Sequence, residues 1–156
     1  MKYVSVSGAS GGLGQACKKY LLNNGYFVIG VDIIKDEEVI DNFISIKCDL
    51  TNDNDIAALY EQIKLITNHL DAIINLVGIF KFQSLVEGNE EDFRKCFEIN
   101  FFSIYKLNKK MFDLLDETSR IINMSSEEAI YSPQPFVGYY AITKCTLDMY
   151  NDVLRR

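Results

Sequence analysis

Ser7-Gly8-Ala9-Ser10-Gly11-Gly12-Leu13-Gly14, residues 7–14, is the stretch that decides the fold. It joins a short β-branched run to a segment of helical period. A strand that enters a glycine-rich turn and then a helix lets backbone N–H groups approach a pyrophosphate, and the helix N-terminus adds partial positive charge. The pattern predicts a dinucleotide-binding turn, and a turn that only connects strand to helix is the alternative. The candidate binding positions are Gly8, Ser10, Gly11, Gly12, Leu13 and Gly14.

The residues that follow the glycines argue against a nucleoside triphosphate site. Such a site needs Gly-Lys-Ser/Thr at the start of the helix, and Leu13-Gly14-Gln15 stands in that place. The missing lysine leaves a dinucleotide as the ligand that the turn fits.

Outward from this turn, short β-branched runs alternate with longer segments of helical period, which is typical of βα units and a parallel sheet. The predicted strands are 2–6, 26–32, 43–48, 71–76 and 119–124. The predicted helices are 12–24, 52–68, 89–116 with a break near Ile99-Asn100, and 138–156, the last reached through a loop at Ser132-Pro133-Gln134-Pro135. Right-handed crossovers then predict a three-layer, Rossmann-like, doubly wound α/β fold of about five strands in the order 3-2-1-4-5, incomplete on its C-terminal side.

The composition is that of an ordinary soluble domain, and it restricts the classes of binding partner. The chain has 156 residues, 48% of them hydrophobic and 24% charged, with a formal net charge of −6. That length fits a single domain over 1–156, and the negative charge disfavours nucleic acid and anionic membrane surfaces. No signal-like run and no apolar stretch of roughly 18 residues occurs. We therefore expect a cytoplasmic protein with neither a nucleic-acid nor a membrane partner.

The cysteines and the histidine give no sign of a metal site. His69 is the only histidine, and the widely spaced cysteines are Cys17, Cys48, Cys96 and Cys145. Because no Cys-x-x-Cys pair occurs, neither a metal site nor a disulfide framework is predicted.

Asp32 ends the second predicted strand, about twenty residues beyond the turn, where a carboxylate accepts hydrogen bonds from ribose hydroxyls. Since its charge repels a 2′-phosphate, the sequence favours NAD over NADP, with Lys35 nearby as the counter-argument. An ordinary polar residue at a strand end is the alternative for Asp32. Asp49, followed by Leu50, is placed either for the adenine edge or for capping the next helix.

Tyr140 and Lys144 lie four residues apart on a predicted helix and therefore share one face, whereas Tyr139 points elsewhere. A tyrosine hydroxyl exchanges protons poorly near neutral pH unless a nearby cation stabilises the phenolate. A strand-like run ends in a serine pair before this helix, and the spacing of fourteen residues to the tyrosine favours Ser126 over Ser125. Without that context, two surface residues on one helix face would explain the tyrosine and the lysine equally well.

As an ordered set, these motifs make the whole chain resemble the classical branch of the short-chain dehydrogenase/reductase family. The matching features are the glycine turn, Asp32, Asp49, Asn75, Gly78, Asn100, Ser125-Ser126 and Tyr140-x-x-x-Lys144. The glycine spacing alone also fits the extended branch, which contains sugar-nucleotide epimerases. The serine-to-tyrosine spacing favours the classical branch.

The resemblance implies an NAD(P)-dependent oxidoreductase that acts on a carbonyl compound or a secondary alcohol. Tyr140 would exchange a proton with the substrate oxygen, and Ser126 would hydrogen-bond that oxygen. Lys144 would stabilise the phenolate and hold the nicotinamide ribose, while Asn100 would support a water in the proton relay. The cofactor-binding set would also include Asn75, Gly78, Tyr140 and Lys144.

Two features depart from the family. Leu76 and Val77 replace the middle of its Asn-Asn-Ala-Gly motif, and the sequence stops at Arg156, before the strands and the lid that enclose a substrate in classical members. We expect a fragment of a longer enzyme. An inactive truncated product and a minimal protein whose apolar sheet edge is covered in a homo-oligomer are the alternatives.

Because of these departures, alternative functions stay open and the sequence does not identify the substrate. A non-catalytic dinucleotide-binding or interaction module is the second hypothesis, and an epimerase-like enzyme of the extended branch is the third. The substrate is expected to be a small carbonyl or alcohol compound. Four aromatic residues near the site are candidates either for the pocket entrance or for ordinary packing: Phe80, Phe82, Tyr131 and Phe136.

Overall fold

The computed structural model describes residues 1–131 and 134–155. Its sheet has the strand order β3-β2-β1-β4-β5, which confirms the predicted order and fold class. The pairs β1–β2, β2–β3 and β1–β4 are parallel. The strands are β1 Lys2–Ser7, β2 Tyr26–Asp32, β3 Phe43–Lys47, β4 Ala72–Asn75 and β5 Arg120–Asn123.

The helices follow the predicted alternation. They are α1 Gly12–Asn23, α2 Asp53–Ile66, α3 Glu90–Phe97, α4 Ser103–Met111 and α5 Gly138–Leu154, with short 3₁₀ turns at Phe112–Leu114 and Glu127–Ala129. The break predicted near Ile99-Asn100 is a π-helical turn, Glu98–Phe102, between α3 and α4. Ser132 and Pro133 of the predicted loop, and Arg156 at the end of the predicted last helix, lie outside the described residues.

Asparagine side chains cap the N-termini of two helices. The Asn52 side chain accepts from the backbone N–H groups of Asn54 and Asp55 at the start of α2. At the start of α3, Asn89 accepts from the N–H of Asp92 at 2.7 Å. Each cap satisfies N–H groups that have no partner within the helix.

The chain divides into two compact units. The first comprises Met1–Leu76 with Lys106–Ile122, and the second comprises Val77–Tyr105 with the chain from Asn123 onward. The first unit contains β1 to β4 with α1 and α2, and the second contains α3, the π-helical turn and α5. The single domain expected over 1–156 stays a prediction.

The core of the first unit explains why its central strands are apolar throughout. Val4, Val6 and Val28 are at most 1% exposed and pack with Leu21 of α1. A parallel strand that is covered on both faces gains from apolar residues at every position, rather than at alternate ones. This burial fixes the carboxyl ends of β1 and β2, from which the glycine turn and Asp32 emerge.

Candidate active site

The glycine turn at residues 8–14 leaves the N-terminus of α1 open. Gly8 has φ of 74° and donates its N–H to the Val31 carbonyl at 2.9 Å. Gly11 stands at the N-cap without a side-chain hydrogen bond, and no acidic residue occupies the first turn. An added Cβ on Gly12 would meet no atom within 4 Å, whereas one on Gly14 would lie 2.1 Å from the Gly8 carbonyl oxygen. Gly14 therefore permits the close approach of helix and turn, and the missing side chain of Gly12 leaves open space beside the helix start.

Asp32 is held by the same turn. Its Oδ2 accepts from the Ser10 N–H at 3.0 Å, and its Oδ1 accepts from the Ile34 N–H at 3.1 Å. The Ser10 hydroxyl donates to the Ile34 carbonyl at 2.8 Å. These bonds fix the carboxylate beside the glycine turn without adding a cation to it.

Asp49 forms a local turn and does not cap α2. Its Oδ1 accepts from the Thr51 N–H at 2.9 Å and from the Thr51 hydroxyl at 2.7 Å. The hydrogen bond from the Thr51 side chain lowers the pKa of the Asp49 carboxyl, so this carboxyl stays ionised. Asn52 caps the helix instead, and the neighbouring Leu50 is buried. The capping alternative for Asp49 is therefore wrong, and its place at the adenine edge stays a prediction.

Asn75 is the centre of a buried polar chain in the first unit. Its Oδ1 accepts from the Ser7 hydroxyl at 2.8 Å, and its Nδ2 donates to Asn108 Oδ1 at 2.9 Å. All three side chains are at most 2% exposed. Asn108 was missed in the sequence because an asparagine within a helical segment carries no signal of burial.

In the second unit, Gly78, Asn100 and Lys144 converge. A Cβ on Gly78 would lie 3.3 Å from Lys144 Nζ and 3.4 Å from Asn100 Oδ1. Asn100 lies in the π-helical turn, where its Oδ1 accepts from the Ile79 N–H at 2.7 Å and its Nδ2 donates to the Ile79 carbonyl at 3.0 Å. Nδ2 also donates to the Thr143 hydroxyl at 3.0 Å. The asparagine thus binds the segment after β4 to α5.

Lys144 is a buried cation near an aromatic ring. Its side chain donates to the Met124 carbonyl at 2.8 Å, and its Nζ lies 5.7 Å from the centroid of the Tyr140 ring. The residue is only 3% exposed. Burial lowers the pKa of the Lys144 ammonium, and the negative charge of Asp148 opposes that shift.

The two neighbouring tyrosines differ in environment. Tyr139 is 3% exposed, stacks on Phe93 at 4.6 Å and donates its hydroxyl to the Asn89 carbonyl at 3.0 Å. Tyr140 is partly exposed and meets the edge of Phe80 at 5.0 Å. Tyr139 therefore serves packing, and Tyr140 is the tyrosine that faces Lys144.

The serine pair follows β5. Ser126 caps the 3₁₀ turn Glu127–Ala129, and its Oγ accepts from the Glu128 N–H at 3.3 Å. That turn packs against α5, which carries Tyr140. The Ser125 hydroxyl is buried and makes no hydrogen bond within the described part of the chain.

Each predicted residue set lies within one unit. The first unit holds the glycine turn, Asp32, Asp49, Leu50 and Asn75, and the second holds Gly78, Asn100, Ser126, Tyr140 and Lys144. Thr143 is a further buried residue of the second set, since its hydroxyl accepts from Asn100 and donates to the Tyr140 carbonyl at 2.7 Å. Its position between Tyr140 and Lys144 was the available signal. The catalytic and binding roles of all these residues stay predictions.

The comparisons with known proteins agree on one family. The family model for short chain dehydrogenase matches residues 2–156. A probable short-chain type dehydrogenase/reductase VdlC from Helicobacter pylori is 31% identical over 155 residues, covering 96% of this chain and 57% of that protein. This chain belongs to the short chain dehydrogenase family, and it spans little more than half the length of that relative.

Solved structures show the same fold. A short chain dehydrogenase family protein from Francisella tularensis superposes with a TM-score of 0.87 at 26% identity, over 96% of this chain and 61% of the other. A 3-ketoacyl-(acyl-carrier-protein) reductase from Brucella melitensis, complexed with NADH, gives a TM-score of 0.90 at 23% identity, over 98% and 68% of the two chains. The second likeness supports the fold alone.

The described residues contain neither a metal-binding cluster nor a membrane-spanning helix. No group of three or more histidine, cysteine or acidic side chains there is arranged to hold a metal ion. Within the same residues, no helix has both the length and the apolar character needed to cross a bilayer. The four cysteines are all free thiols.

Proposed function

We propose that this chain carries the cofactor-binding and catalytic residues of an NAD-dependent oxidoreductase that interconverts a carbonyl compound and a secondary alcohol. The observation that carries the proposal is the convergence of Gly78, Asn100 and the buried ammonium of Lys144 beside the Tyr140 ring. A buried cation next to a tyrosine stabilises a phenolate, which is what acid–base work by tyrosine requires. Family membership supports the same reaction class.

The residues of the first unit fit the adenosine and pyrophosphate part of a dinucleotide. The backbone amides at the open start of α1 would bind the pyrophosphate, where a Cβ at Gly12 would meet open space. The fixed carboxylate of Asp32 would accept from the ribose hydroxyls and repel a 2′-phosphate. Asp49, Leu50 and Asn75 would complete the cofactor contacts.

The preference for NAD over NADP is also part of the proposal. Lys35, which is the counter-argument in the sequence, is 53% exposed at its side chain and lies 3.8 Å from the Glu37 carboxylate. A lysine that already faces an acid is a weak attractor for a 2′-phosphate. Membership of the short chain dehydrogenase family supports a nicotinamide cofactor.

The second unit would supply the proton and orient the substrate. A bound nicotinamide supplies or accepts the hydride. Tyr140 would give its hydroxyl proton to the carbonyl oxygen, and Ser126, whose Oγ accepts from Glu128, keeps a hydroxyl proton to donate to that oxygen. Lys144 would stabilise the phenolate and bind the nicotinamide ribose beside Gly78.

Asn100 is assigned a positioning role. Both ends of its amide are engaged by the Ile79 backbone, and Nδ2 also bonds Thr143. We therefore propose that it supports a proton-relay water by holding these neighbours in place.

NADH oxidation, followed by absorbance with a panel of ketones, tests the proposal. Tyr140→Phe should lower kcat/KM at least about a hundredfold, since it removes the proton donor. Tyr139→Phe is the matched control, because that hydroxyl bonds the Asn89 carbonyl and takes no part in the reaction. Dinucleotide binding without turnover that depends on Tyr140 would instead identify a non-catalytic binding module.

A cytoplasmic location and self-association complete the proposal. The free thiols support a reducing compartment, and the exposed Met149 and Val153 on α5 support contact with a second copy. Cell fractionation and sedimentation equilibrium test these two points. A secreted protein, or a monomer at every concentration, would contradict them.

A further inference from the structure

Three exposed aromatic rings extend outward from Tyr140. Phe80 meets the Tyr140 ring at 5.0 Å, Phe82 lies 6.5 Å from Phe80, and Phe136 stacks on Phe82 at 5.5 Å with an interplanar angle of 28°. We call Phe80, Phe82 and Phe136 the aromatic ladder; its members are 54%, 72% and 47% exposed. Ordinary core packing does not explain rings that remain this accessible, although it was the alternative in the sequence.

The ladder is held in place by its backbone. The Gln83 N–H donates to the Phe136 carbonyl at 2.6 Å, and Gln83 pairs with Val137 in a parallel bridge. The two segments that carry the rings are therefore tied together. Binding to such a surface loses little entropy, because the rings are already positioned.

The charge around the ladder selects against anions. Lys81 stands between Phe80 and Phe82 in the chain and pairs with Asp92 at 3.0 Å. On the loop after Ser126, the acids Glu127 and Glu128 follow directly, and Glu128 accepts from the Gln134 N–H beside the ladder segment at 3.3 Å. An anionic substrate would thus meet carboxylates and no unpaired cation from Lys81.

From these contacts we infer that the substrate is a neutral carbonyl compound or alcohol with a bulky, flat apolar group, and that the aromatic ladder binds that group. The inference rests on the proposed function, since Phe80 connects the ladder to the hydroxyl-bearing ring of Tyr140. Aromatic rings attract flat apolar groups through buried area and through edge and face contacts. A small polar ketone would leave the ladder in water.

The catalytic test compares three ketones that share an acetyl group: 2-butanone, 2-acetylnaphthalene and 6-acetyl-2-naphthoate. We expect kcat/KM with NADH to be at least about tenfold higher for acetylnaphthalene than for the other two. Phe82→Ala and Phe136→Ala should each lower that value about tenfold for acetylnaphthalene and less than about twofold for butanone. Phe112→Ala is the matched control, because this ring of the first unit is 65% exposed and lies outside the ladder.

A binding test separates the inference from the proposed function. Prodan, a neutral naphthyl ketone with polarity-sensitive emission, is titrated without cofactor into a chain that has no tryptophan. We expect Phe82→Ala to raise its Kd about fivefold or more, with Phe112→Ala unchanged. Ladder-dependent Prodan binding without turnover of any ketone would refute the proposed function and retain the ladder as a binding site.

Three outcomes would overturn the inference. One is turnover that does not distinguish acetylnaphthalene from butanone or from the naphthoate. Another is Prodan binding that is unaffected by Phe82→Ala and Phe136→Ala. The third is a loss of self-association in Phe82→Ala with unchanged ketone selectivity, which would assign the ladder to contact between copies of the chain.

Discussion

At Lys144, burial opposes the charge that the proposed chemistry uses. The ammonium is 3% exposed and has the Met124 carbonyl as a partner at 2.8 Å. Its lowered pKa means that the folded chain binds this proton less tightly than the unfolded chain does. The fold therefore keeps a destabilising charge at the place where a phenolate would need it.

Lys144→Met should remove this pH-dependent penalty. For the wild type, the free energy of unfolding rises as pH increases from the lowered folded pKa toward the ordinary value of about 10.5, because only the unfolded state then holds the proton. Over this pH range the free energy of unfolding of the wild type should therefore increase relative to that of the variant. Urea unfolding from pH 7 upward measures it, and a difference independent of pH would contradict the assignment.

Sequence spacing identifies the candidate site residues, and it misses polar residues whose burial depends on tertiary packing. The interval of four residues between Tyr140 and Lys144 places both on one helix face, as the structure has them. Thr143 and Asn108 are 0% and 2% exposed and bond other predicted residues. Thr143 has one signal in the sequence, its place between the tyrosine and the lysine, whereas nothing in the sequence marks Asn108. Which polar residues face inward depends on packing partners that lie far away in the sequence.

At the scale of elements, one buried lysine ties α1 to the loop after β2. Lys18 bonds Asp36 at 2.7 Å and Glu38 at 2.9 Å, and its Nζ lies 4.7 Å from the Phe43 ring centroid. Burial opposes the ammonium, but the hydrogen bonds and charges of the two acids leave the pKa of Lys18 raised. The hydrogen bond from Lys18 lowers the pKa of Asp36. The loop that follows Asp32 is thus anchored to the helix that follows the glycine turn.

Lys18→Met should lower the free energy of unfolding by about 2 kcal/mol at pH 7, because Asp36 would lose its cation. Lys35→Met, in the loop that contains Asp36, is the matched control. Its expected loss is below about 0.5 kcal/mol, since both members of the Lys35–Glu37 ion pair are exposed. The stabilisation by Asp36 is present above its unfolded pKa near 3.9 and is lost as pH falls through the lowered folded value. Equal losses in the two variants, or a difference that persists at acid pH, would contradict this anchor.

Element type was easier to predict than element geometry. The segment 89–116 has one helical period with a weak point, and the sequence predicts the break at Ile99-Asn100. The structure places a π-helical turn there, because the Asn100 side chain bonds Ile79, which is distant in sequence. Local sequence marks where a helix is weak, and tertiary contacts decide what replaces the regular turn.

For the whole molecule, cofactor binding would act on overall stability. A ligand that binds only the folded state raises the free energy of unfolding in proportion to the logarithm of its concentration over Kd. The proposed adenosine contacts lie in the first unit, and Asp32 is the residue proposed to distinguish NAD from NADP.

NAD at about a hundredfold its Kd should therefore raise Tm by about 8 °C, and NADP at the same concentration should raise it less. Asp32→Ala should reduce the shift with NAD more than the shift with NADP. Asp41→Ala, which removes an exposed carboxylate between β2 and β3, is the control. Differential scanning fluorimetry measures the shifts, and a larger shift with NADP in the wild type would overturn the cofactor preference.

The sheet order was predictable because handedness restricts how alternating strands and helices connect. Val4, Val28 and their neighbours give fully apolar runs, so the central strands stand out in the sequence. The division into two compact units was not predicted, since α4 is one continuous helical pattern that begins in one unit and ends in the other. Hydrophobic periodicity predicts a helix, but it does not tell which compact unit each part of that helix packs in.

The π-helical turn also determines where the chain tolerates a change in length. Such a turn contains one residue more than an α-helical turn, which shifts the phase of every later side chain by about 100°. A single-residue deletion there would restore the regular pattern and rotate the faces of α4 relative to α3. An indel at this point therefore acts like the simultaneous replacement of a whole helix face, whereas an insertion in the largely exposed loop 33–40 changes no helix phase.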